Sequence, residues 1–295
     1  MALNKAVFKT RTISAIVFAA IMLSGLLWNR WSFLLLFTII HFGCWHEFLK
    51  LLQLIFKRTI PVPAKFGFML SGYALMLAFC GKAFTIGGYW ISQALCLPLA
   101  IAGFVLLLIG IIQQREILPK LYLTGLLGMV YISLAWGTML SLRQYGIVWK
   151  GDSVFVDNGI TLPLVLIATI WINDTMQYIV GSLIGKTPFS KISPKKTWEG
   201  TIGGSLLAIV VVGFFAKLVL HWPLWQGFGV AAIAAVVGTA GDLLESYIKR
   251  KAGVKDSGNM LPGHGGFLDR FDSMLLATPF VWLFVFLLYS GLFSQ

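Results

Sequence analysis

Nine of the eleven acidic residues in this 295-residue chain lie in its second half, and seven of them, Asp174, Glu199, Asp242, Glu245, Asp256, Asp269 and Asp272, follow residue 160 among lysines and arginines. The densest stretch is SYIKRKAGVKDSGNMLPGHGGFLDRFD, Ser246 to Asp272, with five basic residues, three aspartates, one histidine and five glycines in 27 positions. A second polar run, KTPFSKISPKKTWEG from 186 to 200, supplies Lys186, Lys191, Lys195 and Lys196. Carboxylates suit a hard cation such as Mg2+, which takes one or two of them beside water and phosphate oxygens. Lysine, arginine and the N–H groups of a glycine-rich turn suit phosphate itself. Together the two sets fit an anionic substrate that brings a divalent metal with it.

Each group also has a plainer role. Asp242, Glu245, Ser246, Lys249 and Arg250 stand at offsets 0, 3, 4, 7 and 8, on one face of a helix. Asp242 then lies about 10 Å deeper than Lys249 at ~1.5 Å per residue. A carboxylate there costs roughly 2.5–3.5 kcal/mol unless water, a cation or a partner meets it. The plain alternative is a Glu245–Lys249 ion pair. Asp174, in TIWINDTMQYIVGSLIGK, shares its face with Gly181 and Gly185 and is expected as a buried acid walling a polar cavity, or as an interhelical hydrogen-bond partner. Asp269 and Asp272, one turn apart, suit either metal or a helix cap. His264, among Gly263, Gly265 and Gly266, belongs to a phosphate loop or closes a hydrogen bond in its own turn. The lysines of 186–200 also read as a juxtamembrane basic patch, with Ser193 and Pro194 as a helix start.

The elements that must hold these residues are membrane helices. With 58% hydrophobic residues, 12% charged residues and mean hydropathy +0.85, the chain has too little polar surface to cover a soluble globule. A spanning helix needs about 20 apolar residues, and about nine stretches qualify. They lie near 12–29, 31–52, 66–82, 93–113, 121–142, 161–185, 203–220, 225–248 and 273–293. The expected fold is an all-α polytopic bundle, its first stretch a true span and not a cleaved signal. With the N-terminus cytoplasmic, 18 of the 23 Lys and Arg residues fall on that side, a strong positive-inside bias. Net charge +12 is then a signal of topology and of anionic lipid, and no nucleic-acid partner is expected. Residues 1–160 read as scaffold, with Glu47 and Glu116 the two acids of its spans. Residues 161–295, with cytoplasmic loops 186–202 and 249–272, read as the catalytic region. Cys44, Cys80 and Cys96 lack metal-ligand spacing and read as small buried hydrophobes.

The polar residues resemble a family signature, that of the bacterial phosphatidate cytidylyltransferases, or CDP-diacylglycerol synthases. Ser246, Ile248, Lys249, Arg250, Lys255, Asp256, Gly258, Pro262, His264, Gly265, Gly266, Phe267, Asp269, Arg270 and Asp272 stand in register with it. GDLLES and SPKKTWEG also match, so the resemblance is sharp over about 168–275 and diffuse before that. It implies an enzyme of the bacterial inner membrane, active on the cytoplasmic side, that joins phosphatidic acid and CTP into CDP-diacylglycerol and pyrophosphate. It implies Mg2+, alone or with a second divalent or a monovalent ion such as K+. Asp242 and Asp269 are the expected primary ligands, with Asp272, Asp256 and Asp174 as further ligands or supporting groups. Lys249, Lys255 and His264 join them in catalysis. Ser193, Lys195, Lys196, Ser246, Arg250, Gly265, Gly266 and Arg270 are expected to bind substrate phosphates. A lateral gap beside span six or eight would admit the acyl chains. The chain departs from the family pattern in DTMQY, where Met176 and Gln177 are bulkier than the usual small residue and alanine.

Three rivals remain at this stage. A transporter would spread its acids along a path across the membrane. Another CTP-using enzyme, such as a polyprenol kinase or a cytidylyltransferase for archaeal-type lipid, would share much of the site. A scaffold would have no reason to bury Asp174 and Asp242. Faces rich in small residues permit close packing within one chain or in a homodimer.

Overall fold

The hydropathy pattern resolves into nine long helices among the described residues. The computed structural model describes residues 5–114, 116–150, 153–190, 192–259 and 265–290. The helices are α1 (Lys5–Leu27), α2 (Arg30–Phe56), α3 (Val62–Ala78), α4 (Ile91–Ile112), α5 (Pro119–Leu142), α6 (Thr161–Ile184), α7 (Trp198–Leu218), α8 (Leu224–Lys251) and α9 (Phe267–Tyr289). Seven are long and apolar enough to cross a membrane, and the apolar stretches Ile16–Leu27 of α1 and Val62–Ala78 are shorter. Two antiparallel hairpins, Thr85–Ile86 with Tyr89–Trp90 and Ile147–Lys150 with Ser153–Asp157, interrupt the helical pattern in connecting segments.

Helix ends differ from the apolar stretches for a physical reason. Hydropathy marks the length that suits hydrocarbon, whereas a helix continues into polar sequence wherever its first or last turn is capped. Thus α7 begins at Trp198 and α9 at Phe267, five and six residues before the apolar runs expected at 203 and 273. Asp269 and Asp272 are therefore helical, and the connections shorten to 185–197 and 252–266.

The chain divides into two compact units, one of residues 1–144 with 248–271 and the other of 145–247 with 272–295. The first has an aromatic core. Phe37 lies 5.2 Å from Trp136, Trp136 lies 5.5 Å edge-on to Phe271, and Trp45 stacks on Phe68 at 6.0 Å. A π-helical turn, Met129–Ser133, interrupts α5 and presents Ser133 Oγ to Trp45 Nε1 at 2.9 Å and His41 Nε2 at 3.0 Å. The second unit is packed on small residues. Ala208, Ala216, Ala231, Ala234 and Ala235 are fully buried, which lets helix backbones approach closely where dispersion must replace the hydrophobic effect. Large apolar side chains such as Leu97, Ile112 and Leu183 are exposed, as lipid-facing positions require. Cys44 and Cys80 are buried and Cys96 is partly so, as read from the sequence.

Candidate active site

In the second unit, α6 and α7 meet at glycines. A Cβ on Gly200 would stand 2.7 Å from the Cα of Gly181, and one on Gly204 would collide with the backbone of Gln177. The start of α7 is fixed by Thr197, whose hydroxyl accepts the Gly200 N–H at 3.2 Å. Glu199 in the same turn accepts the N–H groups of Lys186 and Thr187 at 3.1 Å through Oε2. The connection 185–197 is thereby folded back on the helix it precedes. Phe189 N–H donates to Lys196 O (2.8 Å), Trp198 N–H donates to Thr187 O (3.0 Å), and the rings of Phe189 and Trp198 meet edge-on at 4.4 Å.

This strap brings Ser193, Lys195 and Lys196 to the wall of a cavity of about 470 Å³. The wall is completed by Asp174, Gln177, Tyr178, Gly181 and Ser182 of α6, Thr197 and Thr201 at the start of α7, and Asp242 of α8. Lys196 and Asp242 form an ion pair. Asp174, expected as an acid walling a polar cavity, does line this one, with its side chain accessible from it. Ser246 Oγ stands 3.4 Å from Asp242 Oδ1, a long contact.

Among the described residues, Asp242, Glu245 and Asp272 form a group that could hold a metal ion, with one carboxylate oxygen from each lying within 4.8 Å of the others. Three like charges at such spacing repel in low dielectric unless a cation or protons neutralise them. The donor set is all oxygen, which fits a hard divalent cation better than zinc or copper. Asp242 and Asp272 belong to the metal set expected from the sequence. Glu245, only 1% exposed, was legible as sharing the helix face of Asp242, with an ion pair to Lys249 as its plain alternative. Its three-residue spacing from Asp242 was the available signal.

The first unit contains the rest of the Ser246–Asp272 run. Lys249 Nζ donates to Asp269 Oδ1 at 2.5 Å, with both side chains nearly buried. Asp269 Oδ2 accepts the N–H of Ser257 (2.8 Å) and of Gly266 (2.7 Å), so Asp269 caps its own helix from the third position. The Gly266 amide, expected to face phosphate, is thus engaged within the loop. Gly265 has φ +78°, a left-handed conformation that favours glycine. Arg250 Nη1 donates to Val254 O at 3.2 Å, while Lys255, Asp256 and Arg270 are exposed. His264 and Gly263 lie outside the described residues.

Beneath this loop is a residue that sequence reasoning had left in the scaffold. Glu47 of α2, 5% exposed, accepts the N–H groups of Phe267 and Leu268 at 2.9 Å each, two of the orphan donors at the start of α9. The Ser257 hydroxyl lies 2.7 Å from Glu47 Oε2 and 2.9 Å from Asp269 Oδ2, with one proton to serve both acids. A Cβ on Gly258 or Gly266 would strike the Glu47 carboxylate, so these glycines make room for a side chain from another helix. Glu47 anchors the loop and the helix start that carry Asp269.

The site is thus a cavity lined by paired lysine and aspartate, sharing Asp242 with a group of three carboxylates, in a bundle of helices apolar enough to cross a membrane. The chain belongs to the cytidylyltransferase family, whose profile matches residues 9–288, and it is an integral membrane protein. It is 33% identical to a phosphatidate cytidylyltransferase of Synechocystis sp. over 294 residues, covering 94% of this chain and 96% of that one. A phosphatidate cytidylyltransferase of Staphylococcus epidermidis is 34% identical over 238 residues, 75% of this chain and 91% of that protein. One from Aquifex aeolicus reaches 46% identity over 121 residues, 41% of this chain and 45% of its own length.

Proposed function

We propose that this protein transfers CMP from CTP to phosphatidic acid, giving CDP-diacylglycerol and pyrophosphate, on the cytoplasmic side of the membrane. The observation that carries the reading is the cavity of the second unit, where Ser193, Lys195 and Lys196 stand opposite Asp174 and Asp242. An oxygen of the lipid phosphate attacks the α-phosphorus of CTP, the new P–O bond forms as the bond to the β-phosphate oxygen breaks, and pyrophosphate leaves with the electron pair. A phosphate monoester is already largely ionised near neutral pH, so the reaction needs no general base. It needs two polyanions held in line and the charge on the leaving group neutralised.

Lys195 and Lys196 supply positive charge and Ser193 a hydroxyl to phosphate oxygens, while the Lys196–Asp242 pair keeps the lysine extended toward the cavity. The carboxylates of Asp242, Glu245 and Asp272 would hold Mg2+, which when bound screens triphosphate charge and orients its oxygens. In this reading Asp174 supports the same wall. Asp269 positions Lys249, and Lys249, Arg250, Lys255 and Arg270 form the basic complement of the Ser246–Asp272 run, with Asp256 and His264 as further polar groups. Tyr178 lines the cavity yet is 77% exposed on α6, and Leu183 on the same helix is equally exposed. An opening bordered by such side chains suits lateral entry of a lipid whose acyl chains remain in hydrocarbon.

The test is turnover of radiolabelled CTP with phosphatidic acid in detergent micelles, with and without Mg2+, following both products. CDP-diacylglycerol and pyrophosphate should appear in equal amounts, only with metal, and stop when EDTA is added. CTP consumption that requires a polyprenol, or none with either lipid, would overturn the reading.

A further inference from the structure

Four neutral side chains of the second unit form a hydrogen-bonded chain whose proton directions can be worked out. Thr239 Oγ1 donates to Ala235 O at 2.8 Å, so its oxygen is left to accept. It accepts from Gln177 Nε2 at 2.7 Å and Asn173 Nδ2 at 3.3 Å. Ser205 Oγ donates to Asn173 Oδ1 at 2.9 Å and accepts from Gln177 Nε2 at 3.2 Å. Both hydroxyls have given their protons away, and both require an N–H from Gln177. With the protons so placed, Gln177 turns its N–H groups to the two hydroxyls, and its carbonyl is the end not used.

That carbonyl oxygen, Gln177 Oε1, is buried and has no hydrogen-bond partner; the same is true of Thr201 Oγ1. Gln177 is 7% exposed and Thr201 9%, and both line the cavity that holds Lys196 and Asp242. Buried polar atoms are nearly always satisfied, because leaving one unpaired forfeits its hydration with no return. The two residues that carry these atoms line one cavity, and that marks a place for a ligand.

We propose that Gln177 and Thr201 form a neutral contact for the nucleoside part of the nucleotide and set which nucleotide is accepted. The argument rests on the reading that CTP and phosphatidic acid are the substrates. An amide carbonyl needs a donor. Diacyl phosphatidic acid offers ester carbonyls and an ionised phosphate, which are acceptors, and the triphosphate likewise. Among the uncharged groups of the two substrates, the donors are the ribose hydroxyls and the cytosine amine. The charged residues of the wall suit the phosphates, and the uncharged pair suits the uncharged end of the same molecule.

The test uses full-length protein in detergent, as wild type, Thr201→Val and Gln177→Met. Equilibrium binding of CTP is measured, together with kcat/KM for CTP, dCTP and UTP at saturating phosphatidic acid. Thr201→Val keeps the side-chain shape and removes only a hydroxyl without a partner, so the folded protein should be at least as thermostable as wild type. CTP binding should weaken about five- to tenfold, the loss of one neutral hydrogen bond. The KM for phosphatidic acid should not move. If the donor is the ribose 2′-hydroxyl, preference for CTP over dCTP collapses in the variants; if it is the amine, preference for CTP over UTP collapses; weaker CTP binding with both ratios unchanged would overturn the role in nucleotide choice. A purely structural hydroxyl predicts unchanged CTP affinity and unchanged ratios, and that result overturns the proposal, as does a rise in the KM for the lipid alone. Gln177→Met disturbs the hydrogen-bonded chain as well, so Thr201→Val decides the matter if the methionine variant fails to fold. Should wild type make no CDP-diacylglycerol, the functional reading fails by itself, while CTP binding by the two proteins still decides this one.

Discussion

Glu47 and the group Asp242, Glu245 and Asp272 place the same functional group in two different kinds of surroundings. Around Glu47, two backbone N–H groups and a hydroxyl point at one carboxylate. In the second unit, three carboxylates face one another within 4.8 Å. The first arrangement is complete as it stands and holds a loop in shape. The second concentrates negative charge and gains from a cation. What separates a structural acid from a chemical one here is the identity of its neighbours, since burial is similar for Glu47 and Glu245.

Three substitutions sharpen that contrast. Asp242→Asn should have the largest effect on turnover, lowering kcat/KM at least about a hundredfold, as expected on removing one preorganised charge from a site of this type. The protein should stay folded, and a melting curve beside the assay would show it; near-normal turnover would remove Asp242 from the site. Glu47→Gln should do the reverse. The new amide would turn a donor toward donors, costing about 2–4 kcal/mol of stability. Thermal unfolding should drop by several degrees while turnover per folded molecule falls less than for Asp242→Asn. Equal losses of turnover in the two variants would erase the distinction. Thr197→Ala should have the smallest effect, about 1 kcal/mol for loss of a helix N-cap, with a modest rise in KM from a looser 185–197 strap.

The nine helices among the described residues were legible from their apolar stretches, and seven of them have the length and composition that a bilayer imposes on a span. Asp242 stood out because charge at such depth is rare and expensive, and Asp272 because it follows Asp269 by one turn at the end of a basic, glycine-rich run. Glu47 did not, for it lies 210 to 221 residues from its partners, and two of its three donors are backbone amides that no side-chain pattern announces. Gly258 and Gly266 carried a trace of it. A glycine that allows close approach was read correctly, but the approaching group is a side chain of α2, whereas a phosphate was expected. Gln177 was noticed only as bulk; that its carbonyl is left over depends on where Thr239 and Ser205 send their protons, which requires coordinates.

The long sequence separation of Glu47 from its donors also orders the protein's biosynthesis. The ribosome delivers α2 early, and its carboxylate must then remain near headgroup water, because the amides of Phe267 and Leu268 and the hydroxyl of Ser257 have not yet been made. A segment made 210 to 221 residues later is the one that completes α2. A chain stopped before residue 257 would keep an unshielded acid on its second helix, a mark by which membrane quality control could tell an unfinished enzyme from a finished one.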